Sequence, residues 1–339
     1  MSRTDRLTGD LERGFEALEA GDFDAAEQAV ERARKIDRHH PDVVQLGAAL
    51  AEATGDVDAA LELYEKLQEA RPDDPMPRIC IARIELHGLG DPVGALKTLA
   101  EAFEFIDDED DLLEAIMIKA ESYIAQEQLP AAREALAELA SSVIDDPAMA
   151  LDLAELSLMA EDIAGAHKWL DAALAAAPDD KALRAEAKHL LGRVCEAADD
   201  RAGMIAAWQE VRAIDATAPA GDLHVSDDEV ERIAQEALGA LPENVRDALA
   251  KVPILIDTVP SEADVADGLD PRLLGLFAGS PAADDLAPTV TNIRIFKTNL
   301  ERSALDEDHL ADEIRITVLH ETAHYFGLDE EDLVEIGLD

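Results

Sequence analysis

Apolar residues recur along the first two-thirds of the chain with the spacing of helices that bury one face. One alanine marks each segment: Ala26, Ala60, Ala95, Ala132, Ala166 and Ala207, at intervals of 34, 35, 37, 34 and 41 residues. Four residues on stands a second apolar position (Val30, Tyr64, Leu99, Leu136, Leu170, Val211), and seven on a third (Ala33, Leu67, Ala102, Leu139, Ala173, Ile214). Steps of four and three keep side chains on one helical stripe. Gly21, Gly55 and Gly90 stand five residues before their anchors, where the first helix of a pair must turn into the second. Pro41, Pro75, Pro147, Pro178 and Pro219 follow second helices and open the next pair. The pattern predicts about six helical hairpins over residues 1–217.

The periodicity breaks at ATAPAGDLH (216–224), which predicts a linker over 218–225 and a second domain over 226–339. Ser226-Asp227-Asp228-Glu229 reads as a capping box opening a helix with Val230, Ile233, Ala237, Leu238 and Leu241 on one side. VPILIDTV (252–259) reads as a buried strand. TNIRIFKT (291–298) alternates polar and apolar residues and reads as an edge strand on which an extended peptide can align. LLGLFAG (273–279), inside a polar Gly/Pro-rich stretch, receives no element. A long helix beginning near Asp306 carries Leu310, Ile314, Val318 and Leu319 inward.

Charge narrows the partners. With 76 acidic against 29 basic residues, the formal charge is -47. Such a surface repels phosphate backbones and anionic membranes, so neither nucleic acid nor membrane is expected. It attracts cations and basic peptides; equally, it suits a protein kept soluble in a salty cytoplasm. Cys80 and Cys195 lie in apolar helical patterns and read as buried thiols. No stretch approaches the roughly 18 apolar residues of a membrane span, and the N-terminus lacks an apolar signal segment, so a cytoplasmic location is expected.

The long helix ends in His320-Glu321-Thr322-Ala323-His324-Tyr325-Phe326-Gly327. Residues four apart share a helical face, so both imidazoles can reach one metal ion. Glu321 stands beside the first ligand, where a carboxylate can take a proton from water and later return it to a leaving amine. Gly327 breaks the helix and lets the chain turn back toward the metal.

Two resemblances follow from these residues. GDFDAAEQAVERARKIDRHHP and GDVDAALELYEKLQEARPDDP resemble tetratricopeptide repeats, which implies a curved solenoid and a peptide or protein partner. The ALGALPENVRDAL, VPILIDTVP, LLGLFAG, NIRIFKTNLER and LADEIRITVLHETAHYFGLDEEDL segments, in that order, resemble the zincin-like minimal metallopeptidases of bacteria. The fold class expected is therefore mainly α: a tetratricopeptide-like α-solenoid followed by a small α+β zincin-like domain. The second resemblance implies zinc held by His320, His324 and an acidic third ligand, with Glu321 as general base and acid in peptide-bond hydrolysis. The third-ligand position, ten residues after His320, holds Glu330 where that family usually has aspartate; Asp329 and Glu331 flank it as alternatives. Tyr325, Arg294 and Arg315 are the candidates for steadying an oxyanion. The rival expectation is a repeat adaptor whose zincin-like domain binds metal without significant turnover.

Overall fold

The computed structural model of the chain describes residues 2–217, 223–241, 243–249, 251–280 and 289–325. Two compact units form, Met1–Ala173 and Leu174–Asp339.

The helices come in pairs: α1 (Arg3–Glu19) with α2 (Phe23–Asp37), α3 (Pro41–Ala53) with α4 (Val57–Ala70), and α5 (Met76–Arg83) with α6 (Pro92–Ala102). A π-helical turn, Ile84–Gly88, extends α5. Then come α7 (Glu109–Ile124) with α8 (Leu129–Ala137), α9 (Pro147–Met159) with α10 (Ile163–Ala176), and α11 (Lys181–Ala197) with α12 (Arg201–Asp215). The last pair belongs to the second unit. The anchors Ala26, Ala60, Ala95, Ala132 and Ala166 are all fully buried. Trp169 and Trp208 are core residues at 3% exposure, and both cysteines are buried.

Each pair turns by the same device. The backbone N–H of residues 22, 56, 91, 128, 162 and 200 donates back to the carbonyl five or six residues earlier, closing the first helix. At five of these positions an aspartate then caps the second helix, as when the Asp22 carboxylate accepts from the Ala25 N–H at 2.9 Å. The preceding residue is left-handed: Gly21, Gly55 and Gly90, then Glu127, Glu161 and Asp199 with φ of 57°, 57° and 58°. The later hairpins thus keep the turn and lose only its glycine. This geometry also corrects the register of the sixth unit. The residue five after Asp199 is Met204, not Ala207, so the last interval is 38 residues rather than 41. A side chain in the left-handed region is strained by roughly 1–2 kcal/mol. Replacing Glu127, Glu161 or Asp199 by glycine is expected to raise stability by about 0.5–1 kcal/mol each, after the added freedom of the unfolded chain is counted. Thermal unfolding of the three variants measures this.

Excess negative charge is felt inside the first unit. Burial, then the neighbouring Asp108 carboxylate, pushes Asp111 up to about 6. Burial raises Asp152 and Glu121 as well, the latter against the attraction of His87. A carboxyl group raised on folding weakens the fold above its folded pKa, and that penalty disappears below its unfolded value. Asp111→Asn should therefore stabilise the protein at pH 7.5, by about 1 kcal/mol once solvent screening of a half-exposed group is allowed for. The gain should vanish near pH 4. Calorimetry at the two pH values checks the sign.

In the second unit, α13 (Asp227–Ala240) opens on Ser226, whose hydroxyl accepts from the Glu229 N–H at 3.2 Å. After α14 (Glu243–Leu249) come β1 (Ile254–Asp257), α15 (Glu262–Ala266), β2 (Gly275–Ser280), β3 (Thr289–Phe296), α16 (Lys297–Ser303) and α17 (Glu307–Tyr325). The sheet order is β1-β3-β2, with β1 parallel and β2 antiparallel to β3. LLGLFAG thus supplies a strand, β2. TNIRIFKT supplies the central strand rather than an edge, with both its sides already paired, so it has no free edge for a peptide. One face of β3, Ile293 and Ile295, packs with Val230, Ile233 and Ala234 of α13 and with Leu310, Ile314 and Val318 of α17. The other face carries Arg294, which bonds to Asp257 at 2.8 Å and to both oxygens of Asp264 at 2.9 Å.

Candidate metal centre

The helix α17 runs without a break to Tyr325 and so carries the whole His320–His324 span. Leu310, Ile314 and Val318 form its buried stripe, and Thr322 continues it at 2% exposure. The Thr322 hydroxyl donates to the Val318 carbonyl at 2.6 Å. Threonine tolerates burial here because the helix itself satisfies its oxygen. Two residues along a helix is a rotation of about 200°. Positions 320 and 324 therefore lie on the side of α17 away from Val318 and Thr322. His320 is half-buried, in line with the half-buried His309, Glu313 and Thr317. The side chains of Glu321 and His324, and all of Glu330, Asp329 and Glu331, lie outside the described residues. Among the described residues no group of three or more His, Cys, Asp or Glu side chains is spaced to hold a metal ion.

What the structure does show fits a metal on this helix. A helical backbone through residue 325 puts positions 320 and 324 one turn apart on one face, the spacing two imidazoles need to share an ion. His320, half-buried, is not part of the stripe that fills the core.

Other polar residues of the region are occupied. The Arg294 guanidinium is taken by Asp257 and Asp264, and its hydrogen bonds hold Asp264 far below the usual carboxylate range. It is a structural cation, not a donor for an oxyanion. Arg315 pairs with Asp312 at 2.5 Å along α17. The Tyr325 side chain lies outside the described residues. His309 faces Glu313 at 3.3 Å and accepts from the Leu305 N–H at 3.0 Å.

His189 lies on α11. Its Nε2 lies 2.9 and 3.0 Å from the two oxygens of Asp270, 81 residues away. Burial works to raise Asp270, but the hydrogen bond and charge of His189 prevail and lower it. Among the described residues no helix is long and apolar enough to cross a membrane.

Residues 249–338 match the family of zincin-like metallopeptidases, and residues 17–83 and 119–181 each match a tetratricopeptide repeat family. No curated protein matches the chain. Among solved structures, it is similar to PilW, a widely conserved type IV pilus biogenesis factor, at 15% identity and a TM-score of 0.53, over 62% of this chain and 94% of PilW. It is also similar to PilF of Pseudomonas aeruginosa, at 16% identity and a TM-score of 0.48, over 64% of this chain and 95% of that one. At such identities PilW shows a shared fold and nothing more. Repeat pattern, hairpin geometry and family matches agree: the chain joins N-terminal tetratricopeptide repeats to a C-terminal domain of the zincin-like metallopeptidase family.

Proposed function

We propose that this is a repeat-based interaction protein whose zincin-like domain holds zinc through His320, His324 and Glu330, taking the domain to begin near residue 226 after the 218–225 linker. Supporting this are the family matches and the unbroken helix, whose backbone has positions 320 and 324 one turn apart on one face. The repeat array recruits a peptide or protein, and its strong negative charge favours a basic one. The setting inferred is cytoplasmic. Purified protein is expected to contain about one zinc per chain, and His320→Ala to lose it. Equal zinc in that variant would remove the assignment. Glu330→Ala should weaken zinc far more than Asp329→Ala.

One observation favours a further reading, peptide-bond hydrolysis. A metal kept only for structure has no use for a carboxylate beside its first ligand, yet position 321 is glutamate. Bound zinc would supply a Lewis acid for a peptide carbonyl. Glu321 would accept a proton from water and deliver it to the departing amine. His320 and His324 would orient the ion.

A further inference from the structure

The segment joining β1 to β2 is held from two sides. Toward α11 and α12, Val265 of α15 is fully buried in one cluster with Cys195, Met204 and Trp208. Polar ties run on both sides of it. The Arg212 Nε donates to the Pro260 carbonyl at 2.7 Å, and Arg201 to the Asp267 carbonyl at 2.6 Å. Beyond the His189–Asp270 contact, Arg272 reaches Glu186 at 2.7 Å and Asp215 at 3.1 Å. Toward the sheet, the same segment offers Asp264 to Arg294 of β3. The Asn299 amide of α16, 4% exposed, donates to the Pro271 and Leu273 carbonyls at 2.9 and 2.8 Å. Arg302 of α16 donates to the Asp215 carbonyl of α12 at 2.7 Å.

Residues 260–273 are therefore a layer between a repeat hairpin and the elements that carry α17. β3 and α16 supply Ile293, Ile295 and Leu300 to the cluster that takes in Leu310, Ile314 and Val318 of α17. We propose that the sixth repeat hairpin is a positioning element of the metallopeptidase-like domain. Through residues 260–273 it sets β3 and α16, and so the bed on which the motif helix lies. A hairpin that is a repeat by sequence would then be part of the metal domain by function. The proposal rests on the metal reading only for its last consequence, zinc retention.

The test uses the full chain with Val265→Ala and Asp270→Asn combined, and Asp270→Asn alone, which keeps the shape of the loop. Amide exchange is followed in β3, in α16 and in α13, which packs on the other side of Ile293 and Ile295; zinc is titrated with a competing chelator. The expected result is exchange about 10-fold faster or more in β3 and α16, a smaller change in α13, and zinc held about 10-fold more weakly, the scale seen when the support of a metal ligand is removed. Faster exchange confined to α11, α12 and α15 would overturn the proposal. So would an equal rise everywhere including α13, or unchanged zinc affinity with β3 and α16 loosened. Should the double variant not fold, Asp270→Asn is judged by the same criteria. If the unaltered protein binds no zinc, the metal reading fails, while exchange in β3 and α16 still decides whether the hairpin sets them.

Discussion

Glu321→Gln should keep its zinc and lose peptide hydrolysis by about 10²–10⁴-fold, the usual worth of a general base. Glutamine preserves the size of the side chain and its helix propensity, and removes only the basic oxygen. Position 321 lies next to the first proposed ligand on the described helix α17. The measurement is turnover of a mixed peptide library by wild type and variant, with metal content determined on the same samples. A variant with full zinc and unchanged turnover would strip Glu321 of its role. Zinc in both and turnover in neither would leave the domain as a metal-holding part of an adaptor. His320→Ala separates the outcomes further, since it removes the ion as well as the chemistry.

Gly192→Ala is expected to destabilise the second unit by about 3 kcal/mol, toward the upper end for overpacking a core. A methyl group on Gly192 would stand 1.9 Å from the Trp208 Nε1 and 2.2 Å from its Cδ1. The indole cannot yield cheaply. It is 3% exposed, and its N–H donates to the His189 carbonyl at 3.2 Å. Displacing it would also disturb Val265, and with it the segment between β1 and β2. Gly239 near the end of α13 is the natural control. Among the described residues, nothing outside its own helical turn comes within 4 Å of a methyl group placed there. Gly239→Ala should therefore be neutral or stabilising, by up to about 1 kcal/mol from helix propensity. Opposite signs for two glycines in helices of the same unit, read by calorimetry, would show that contact rather than propensity decides at position 192.

Much of the architecture was legible because burial leaves a periodic trace. Ala26, Ala60 and Ala95 announced the hairpins, and Leu310, Ile314 and Val318 the inner face of α17. The sixth anchor was displaced because Asp199 takes the place of a turn glycine, and only φ reveals that an aspartate occupies the left-handed region. The strand β2 was hidden by its composition, since glycines at 275 and 279 suggest loop. The central place of β3 could not be read from alternation. A polar face looks exposed in sequence, whereas here Arg294 is covered by α15 and paired with Asp264. The His320–His324 pattern is plain in the sequence because its spacing is local. The ties of His189 to Asp270 and of Arg272 to Glu186 span more than eighty residues and leave no local signal.

The positions of the two tryptophans have a practical consequence. Trp169 lies in the first unit and Trp208 in the second, each buried to 3% exposure, and the chain has no others. Tryptophan fluorescence, excited at the red edge where the three tyrosines barely absorb, is thus divided one fluorophore to a unit. A Trp208→Phe protein would report denaturation of the first unit alone, and a Trp169→Phe protein that of the second. Overlaid, their urea curves would give the cooperativity between the units without any attached label. A midpoint of one curve that shifts on adding zinc or a basic peptide would also tell which unit that ligand binds.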